Sequence, residues 1–185
     1  MASTATVPAT TLASLQTAYE GESNARAKYI AFAAEAVEEG FMDVASLFRA
    51  AARAEQIHAG NHARVLRNFG VDPKCTIHEI TVGSTAENLA AAIAGEEYER
   101  DVMYPAFLAE AQSAKQPAAE RTFHWALEAE REHARLYRAA LDQLQAGKPR
   151  VTYYVCLVCG YTTSNGNFAR CQICNNPREK FETIS

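Results

Sequence analysis

Two copies of a Glu-x-x-His pair stand far apart in this chain, Glu55 with His58 and Glu130 with His133. A Glu and a His three positions apart point the same way from an α-helix, so each pair presents a carboxylate and an imidazole to one neighbour. Each pair also lies on an apolar stripe with the three-and-four spacing of a core-facing helix. Such carboxylates need a proton, a cation or a metal, because an uncompensated buried charge costs several kcal/mol or more.

The two halves of the chain repeat one another around these pairs. Glu22 precedes the first pair by 33 residues, and Glu96 precedes the second by 34. One Glu from each of two helices plus a Glu-x-x-His from each of two others is the ligand set of ferritin-like di-iron carboxylate proteins. The sequence therefore predicts a dinuclear metal site, with a buried salt-bridge network as the alternative. Its six candidate ligands are Glu22, Glu55, His58, Glu96, Glu130 and His133.

Helix three carries a seventh candidate ligand, Glu99, one turn beyond Glu96, where the first half has Ala25. Five carboxylates supply a charge of −5, which lies between two ferrous ions (+4) and two ferric ions (+6). A surplus ligand offers one iron the neutral His58 when reduced and the anionic Glu99 when oxidised. The alternative is that Glu99 is an exposed helix carboxylate.

Two tyrosines follow the first glutamate of each half. Tyr29 lies seven residues after Glu22 and Tyr104 eight after Glu96, so their hydroxyls are predicted to reach metal-bound carboxylates, with plain core aromatics as the alternative. The extra residue in the second half predicts a local helix bulge. His62 follows His58 by four, but the fourth helix has Tyr137 there. We interpret the other histidines as structural or surface residues: His62, His78 and His124.

Two CxxC pairs lie near the C-terminus, separated by eleven residues in a β-prone, turn-rich segment. They predict a tetrahedral four-thiolate metal site, formed by Cys156, Cys159, Cys171 and Cys174. Iron and zinc both accept this ligand set, so a structural zinc ribbon is the alternative; the adjacent redox-type site favours iron. Gly160 and Tyr161 favour a turn whose backbone N–H groups face sulfur. Cys75 is left without a predicted role.

Four long helices position the bundle residues. Apolar periodicity and breakers place them at about residues 12–38, 43–68, 85–113 and 117–146. Ser84 and Glu87 form a capping box for the third helix, and the linker 71–83 is long enough to cross a bundle. The predicted fold is mainly α: a ferritin-like four-helix bundle with a crossover connection over residues 1–147, and a small β- and turn-rich, rubredoxin-like four-cysteine domain over 148–185.

Composition narrows the functional classes. The formal net charge is −4 without a basic stripe, which argues against nucleic acid as a partner. Residues 1–11 lack the charged and apolar regions of a secretion signal, and no segment approaches the roughly 20 apolar residues of a membrane span. We therefore expect a cytoplasmic protein without a membrane partner.

Taken together, these motifs resemble the rubrerythrin family over almost the whole chain. The matching segments are GESNARAKY at 21–29, EQIH at 55–58, AGEEYERDVMYP at 94–105, EREH at 130–133 and CLVCGY at 156–161. The resemblance implies an oxo-bridged di-iron site, a rubredoxin-like iron and peroxidase activity on hydrogen peroxide. It also implies that Glu99 joins the six bundle ligands and exchanges with His58. Gln172 follows Cys171, where rubredoxin-like turns usually have Pro, which leaves the redox potential open.

The expected reaction needs an external electron donor, such as a rubredoxin or an NAD(P)H-dependent reductase, because the chain has no glycine-rich dinucleotide fingerprint. Twelve helical residues after His133 span about 18 Å, which predicts that the four-cysteine module is carried away from its own bundle site. A head-to-tail homodimer, or a higher oligomer, would then bring the two sites together, and the resemblance supports it. Two alternatives remain at this point: a ferroxidase that handles iron, and a non-enzymatic scaffold with a zinc ribbon.

Overall fold

The structure, a computed structural model, describes residues 7–185. These residues form five α-helices, one π-helical segment, a 3-10 turn and a three-stranded sheet. The helices are α1 (Ala9–Glu38), α2 (Met42–Asn68), α3 (Thr85–Tyr98), α4 (Tyr104–Ser113) and α5 (Pro117–Asp142), with the π segment at Glu99–Met103; the strands are β1 (Tyr153–Cys156), β2 (Thr162–Thr163) and β3 (Phe181–Ile184). The interpretation of residues 1–11 falls largely on residues 1–6, which lie outside the described part.

Two helical hairpins build the bundle, as the sequence predicts. Gly40 separates α1 from α2 and adopts φ +81°, a left-handed conformation that glycine reaches without a steric penalty. The linker 71–83 then runs along α1, where His78 N–H donates to the Asn24 side chain at 2.8 Å. The predicted capping box is confirmed, since the side chains of Ser84 and Glu87 each accept the other's backbone N–H. The mainly α, ferritin-like fold class is therefore confirmed.

The second hairpin contains the predicted helix bulge. The π segment joins α3 to α4 without a break, and the N–H of Tyr104 donates to the carbonyl of Glu99, five residues earlier. Pro105, which has no N–H to donate, follows directly. The π segment absorbs the one extra residue of the second half, so Tyr104 remains on the core face like Tyr29.

The core has two apolar layers with the predicted bundle site between them. One layer contains the aromatic rings of Tyr29, Phe32, Phe48 and Tyr137. The other layer packs around Leu15, Leu66, Tyr104 and Phe123. Along each long helix the candidate ligands lie between residues of these two layers, so the site is shielded from water at both ends.

The C-terminal module is a small antiparallel sheet with two cysteine-bearing turns. Its strand order is β2-β1-β3, with Tyr154 opposite Thr163 and Cys156 opposite Phe181. A separate apolar cluster surrounds the cysteines and includes Trp125 of the bundle. The module therefore shares apolar contacts with α5.

The prediction that this module is carried away from its own bundle site is wrong. Helix α5 ends at Asp142, short of the expected residue 146, and the chain turns at Gly147, whose N–H donates to Gly40 O at 3.1 Å. The ten residues between α5 and β1 can extend about 33 Å, which exceeds the length of helix to be retraced. The module returns to α2 and α5, and Arg53 on α2 pairs with Glu182 on β3 at 2.7 Å.

No helix within residues 7–185 has both the length and the apolar character that a bilayer crossing requires.

Candidate metal centres

Six buried side chains from four helices converge in the middle of the bundle. They are the six that the sequence predicts as ligands: Glu22 from α1, Glu55 and His58 from α2, Glu96 from α3, and Glu130 and His133 from α5. Each of these residues is at most 1% exposed. The regular helical spacing puts each pair on the core face of its helix, and the packing of the helices brings residues more than 100 positions apart to one place.

Two of the glutamates lie between the two histidines and give one oxygen to each. Glu55 approaches His58 Nδ1 through Oε2 at 2.9 Å and His133 Nδ1 through Oε1 at 3.4 Å. Glu130 approaches the same atoms through Oε1 at 2.9 Å and Oε2 at 2.7 Å. Each of these two carboxylates therefore presents one oxygen to either histidine.

The other two glutamates each belong to one side. Glu22 Oε1 lies 3.7 Å from His58 Nδ1, and Glu96 Oε2 lies 3.7 Å from His133 Nδ1. The result is two four-residue groups, each with donor atoms within 4.8 Å of one another, and both share Glu55 and Glu130. We call the group with Glu22 the His58 position and the group with Glu96 the His133 position.

Both histidines turn their Nδ1 atoms toward the carboxylates and their Nε2 atoms toward the C-terminal module. His58 Nε2 donates to the carbonyl oxygen of Cys159 at 3.0 Å. His133 Nε2 donates to Thr162 Oγ1 at 3.1 Å, while the Thr162 hydroxyl donates to Gly160 O. These partners hold the proton on Nε2 and leave the Nδ1 lone pair free for a metal.

The donor set fits metal ions better than an ion-pair network. Four carboxylates carry four negative charges, whereas two protonated imidazoles supply at most two positive ones. Several donor atoms also lack a hydrogen bond of good geometry within residues 7–185: Glu22 Oε2, both carboxylate oxygens of Glu55 and Glu130, Glu96 Oε2, and Nδ1 of His58 and His133. Buried polar atoms without partners are costly, and carboxylate and imidazole ligands in this number suit a pair of irons.

Without metal, protons supply the missing positive charge. Burial, and then repulsion from Glu130, raises the pKa of Glu22 and of Glu96 to about 8. Burial alone would lower the pKa of His58 and His133, but the neighbouring glutamates raise both well above the usual value. Burial opposes ionisation of Glu130, yet the charges of the two histidines hold its pKa far below its ordinary range.

Glu99 lies beside the two four-residue groups but belongs to neither. It is half-buried, and burial, followed by repulsion from Glu22 and Glu130, raises the pKa of its carboxyl well above the usual value. The alternative of a fully exposed carboxylate is therefore wrong. The arrangement places His58 among the donor atoms and Glu99 next to them, and the exchange between these two residues stays a prediction.

The two tyrosines reach the carboxylates, each across to the opposite half. Tyr29 on α1 donates to Glu96 Oε1 at 2.5 Å, and Tyr104 on α4 donates to Glu22 Oε1. Burial is the first cause that raises the pKa of each phenol well above its usual value. Both hydroxyls therefore keep their protons and orient a candidate ligand.

Sequence reasoning underrated one histidine. His62 is buried, and its Nε2 lies 3.1 Å from the Tyr104 hydroxyl, while its Nδ1 lies 3.1 Å from Thr122 Oγ1. Burial, and then the charge of His58, lowers the pKa of His62 to about 3, so its ring is neutral. His78 and His124 are exposed, as predicted. The sequence signal for His62 was its position one turn after His58. The second half has Tyr137 at the equivalent position, so the repeat did not point to a histidine there.

The four cysteines form the second candidate centre. All four sulfur atoms lie within 4.8 Å of one another, with Cys156 to Cys174 at 3.6 Å and Cys159 to Cys171 at 3.4 Å. Tetrahedral bonds of about 2.3 Å place ligand sulfurs roughly 3.8 Å apart, close to these separations. Backbone N–H groups face the sulfurs as predicted, including that of Tyr161 toward Cys159. Such a set fits one rubredoxin-like iron.

The contact between the two centres escaped prediction. Besides the two histidine contacts, Asn61 on α2 donates to Val158 O at 2.8 Å. Gly160 adopts φ +83°, and a Cβ there would lie 2.1 Å from His58 Nε2. From the sequence, Gly160 predicts only a turn. The residues next to it do not indicate that a bundle histidine packs against it. Cys75 is exposed in the linker, away from both centres.

Comparison with known proteins identifies relatives of the whole chain. A family model described as Rubrerythrin matches residues 14–141. Rubrerythrin-2 of Clostridium acetobutylicum is 39% identical, over 92% of this chain and 94% of that protein. Nigerythrin of Nitratidesulfovibrio vulgaris is 37% identical, over 98% of this chain and 90% of that protein. Both matches cover more than nine tenths of this chain.

Solved structures agree with this assignment. Nigerythrin in its fully reduced, all-ferrous state superposes with a TM-score of 0.87 at 36% identity, over 99% of this chain and 91% of that one. A bacterioferritin of Mycobacterium tuberculosis superposes with a TM-score of 0.68 at 18% identity, over 73% of this chain and 86% of that one. The second likeness concerns the fold alone.

Proposed function

This chain belongs to the rubrerythrin family, and we propose that it is a peroxidase that reduces hydrogen peroxide to water. The bundle residues would hold two ferrous ions, which would supply one electron each, so that H₂O₂ + 2e⁻ + 2H⁺ would give 2H₂O. We propose the six buried residues as their ligands, with Glu99 as the surplus one, and the four cysteines as ligands of a third iron. Glu55 and Glu130 would bridge the pair.

The observation that carries the proposal is the direct contact between the two centres. Cys159 contributes a sulfur to the four-cysteine group and a backbone carbonyl to His58 Nε2, at 3.0 Å. His58 contributes Nδ1 to the bundle group. One hydrogen bond therefore joins a ligand of one centre to a ligand of the other within a single chain. A ferroxidase has no use for such a connection, whereas a peroxidase must be re-reduced after each turnover.

The bundle supplies protons and excludes bulk water. The Tyr29 and Tyr104 hydroxyls are buried donors on Glu96 and Glu22, and their raised pKa values keep the protons in place until a stronger base forms nearby. The apolar layers on both sides keep the carboxylates dry, which strengthens every charge interaction in the site. Since hydrogen peroxide is small, it needs no large cleft.

The electron donor is an external protein in this proposal. A rubredoxin or an NAD(P)H-dependent reductase would reduce the four-cysteine iron. The intrachain contact removes the argument that a dimer is needed to bring the centres together. A homodimer or higher oligomer remains part of the proposal on the family resemblance alone.

A metal exchange in the four-cysteine group tests the electron path. Protein with iron in the bundle and zinc in the cysteines keeps the fold but cannot pass electrons. We expect the chemically reduced zinc form to consume one equivalent of hydrogen peroxide per di-iron site in stopped-flow mixing. Its steady-state turnover with an external electron donor should be lost, while the all-iron form turns over.

Two outcomes would contradict the proposal. If the zinc form sustains donor-dependent peroxide turnover, electrons do not pass through the cysteine iron. If the reduced all-iron protein reacts much faster with oxygen than with hydrogen peroxide and then releases ferric iron, the protein is a ferroxidase. Replacing both Cys156 and Cys159 with Ser provides a second arm, in which donor-dependent peroxidase turnover should collapse.

A further inference from the structure

The two halves of the bundle differ at two buried positions that are equivalent by sequence spacing. Seven residues after the glutamate of each Glu-x-x-His pair stands His62 in one half and Tyr137 in the other. Eight residues before that glutamate stands Thr122 in the α5 copy and Leu47 in the α2 copy. All four side chains are buried. The protein thus has a polar pair, His62 and Thr122, on one side of the site, and Tyr137 and Leu47 on the other.

The polar pair forms a continuous hydrogen-bonded chain that ends on a candidate ligand. Thr122 Oγ1 lies 3.1 Å from His62 Nδ1, His62 Nε2 lies 3.1 Å from the Tyr104 hydroxyl, and that hydroxyl contacts Glu22 Oε1. Thr122 is 4% exposed, and the other three residues are fully buried. These four hydrogen-bonded residues join four helices, since they come from α5, α2, α4 and finally α1.

An ionised Glu22 fixes the direction of every bond in this chain. A carboxylate that binds metal has no proton, so it accepts the Tyr104 hydroxyl proton. The oxygen of Tyr104 then accepts from His62 Nε2–H, and the bare Nδ1 of His62 accepts from Thr122 Oγ1–H. Each bond then has one fixed donor and one fixed acceptor, and the hydroxyl of Tyr104 is held between Glu22 and His62.

The other half has no such support. Tyr29 donates to Glu96 at 2.5 Å, and the Tyr137 ring lies 5.5 Å from the Tyr29 ring. Within residues 7–185, however, the Tyr137 hydroxyl has no hydrogen-bond partner. The orientation of the Tyr29 hydroxyl therefore depends on packing and on Glu96 alone.

We propose that His62 is a positioning residue, which with Thr122 holds the Tyr104 hydroxyl on Glu22 and so strengthens metal binding at the His58 position but not at the His133 position. Partners that orient a ligand typically change metal affinity by about 10- to 100-fold. The inference rests on the dinuclear site proposed above. It adds that the two metal positions are unequal, and it names the residue that makes them so.

Zinc titration followed by NMR tests the inference without any catalytic assay. The chain has five histidines, so ¹⁵N-labelled histidine gives a spectrum that can be assigned residue by residue. The full-length protein, with its cysteine group already filled, is titrated with zinc alone. The signals of His58 and His133 report the filling of each position separately, and the His62 signal reports which ring nitrogen carries the proton.

Four variants separate positioning from simple packing. We expect His62→Leu and Thr122→Val each to weaken zinc binding at the His58 position, by about tenfold for His62→Leu, and to leave the His133 position unchanged. His62→Gln keeps an N–H donor and should recover part of the loss. Tyr137→Phe is the matched control in the other half and should change neither position. In wild-type zinc protein, His62 should carry its proton on Nε2.

Any of three results would overturn the proposal. Equal weakening at both positions in His62→Leu, or no weakening at either, would reduce His62 to a packing residue, even if the variant melts at a lower temperature. A proton on His62 Nδ1 in the zinc protein would reverse the direction of the hydrogen bonds, and His62 Nε2 could then no longer donate to Tyr104. Failure of the dinuclear site itself looks different, because neither His58 nor His133 would then respond to zinc in the wild-type protein.

Discussion

The two metal positions of the bundle are built from one repeated pattern, yet their surroundings differ. At the His58 position the histidine donates to a backbone carbonyl of Cys159, and at the His133 position it donates to the hydroxyl of Thr162. The glutamate at the first position accepts from a supported tyrosine, and the glutamate at the second from an unsupported one. The two positions thus have the same kinds of candidate ligand, whereas the hydrogen-bond partners of those ligands differ.

This difference indicates how a repeated hairpin gives two similar ligand groups unequal surroundings. The ligands of the two positions must remain similar, because each metal ion needs several carboxylate and imidazole donors. The partners behind them can diverge, because each contributes only about 1 kcal/mol to stability but orients a ligand. Glu99, the first residue of the π segment, adds to the asymmetry, since the first half has Ala25 at the equivalent spacing.

Loss of a ligand that both positions share should leave both positions without metal. Glu130 gives one oxygen to each side, so Glu130→Gln removes an anionic donor from both. We expect the affinity for both bundle metals to fall by more than about a hundredfold, beyond the usual cost of losing an outer partner. Elemental analysis of the purified variant should find metal only in the cysteine group.

Glu128→Gln, two residues earlier on α5, is the matched control and should retain both bundle metals, because the partly exposed Glu128 carboxylate pairs with Arg131 and does not reach the site. Retention of one metal by Glu130→Gln would mean that Glu130 serves a single position.

A change that separates the cysteine module from His58 should affect the contact at the His58 position and leave the His133 position in place. Gly160→Ala places a methyl group against His58 Nε2, at 2.1 Å before any movement, in a residue with φ +83°. The module must shift, and displacements of about 1 Å at a working contact cost up to roughly a hundredfold in rate. We expect donor-dependent peroxide turnover to fall at least tenfold, while the single reaction of prereduced protein with peroxide is kept.

Gly147→Ala controls for backbone strain, because Gly147 also has φ +83° but has no atom within 4 Å of an added Cβ. That variant should turn over like the wild type. Equal losses in the two variants would indicate strain in the module and not the contact with His58.

A pH series should show that the two positions titrate alike before metal binds. The pKa of Glu22 and of Glu96 is raised from 4.5 to about 8, so the folded state binds more protons than the unfolded state between these values. The free energy of unfolding of protein without bundle metal should therefore fall as pH rises from 4.5 to 8, by up to about 1.4 kcal/mol per pH unit for each carboxyl. His58 and His133, with raised pKa values, act in the same direction above pH 6.5. His62, whose pKa is lowered to about 3, offsets part of the fall between pH 4.5 and 6.5.

Urea unfolding at several pH values measures this slope. Glu22→Gln and Glu96→Gln should each remove a similar share of it, and bound metal should flatten it, because metal replaces the protons. A stability that increases from pH 5 to pH 8 without bundle metal would contradict the assigned pKa directions.

Several features of the site follow from local spacing and were predictable. The Glu-x-x-His pairs, the helix bounds within a few residues and the bulge before Tyr104 depend on periodicity along one helix. The four-cysteine group depends on two short turns. In contrast, the tyrosines cross to the opposite half, where Tyr29 meets Glu96, 67 residues away. His62 gained its role only when α2, α4 and α5 came together.

The sequence by itself determined which residues are the candidate ligands, because helical periodicity and CxxC spacing orient side chains through bonds that are local in the chain. Only the tertiary structure decided which groups stand behind those residues. The return of the chain after Asp142 places Cys159 on His58, and helix packing places His62 behind Tyr104. Such contacts depend on the packing of elements distant in sequence, where many arrangements are compatible with the same local pattern and the burial of the whole core selects one.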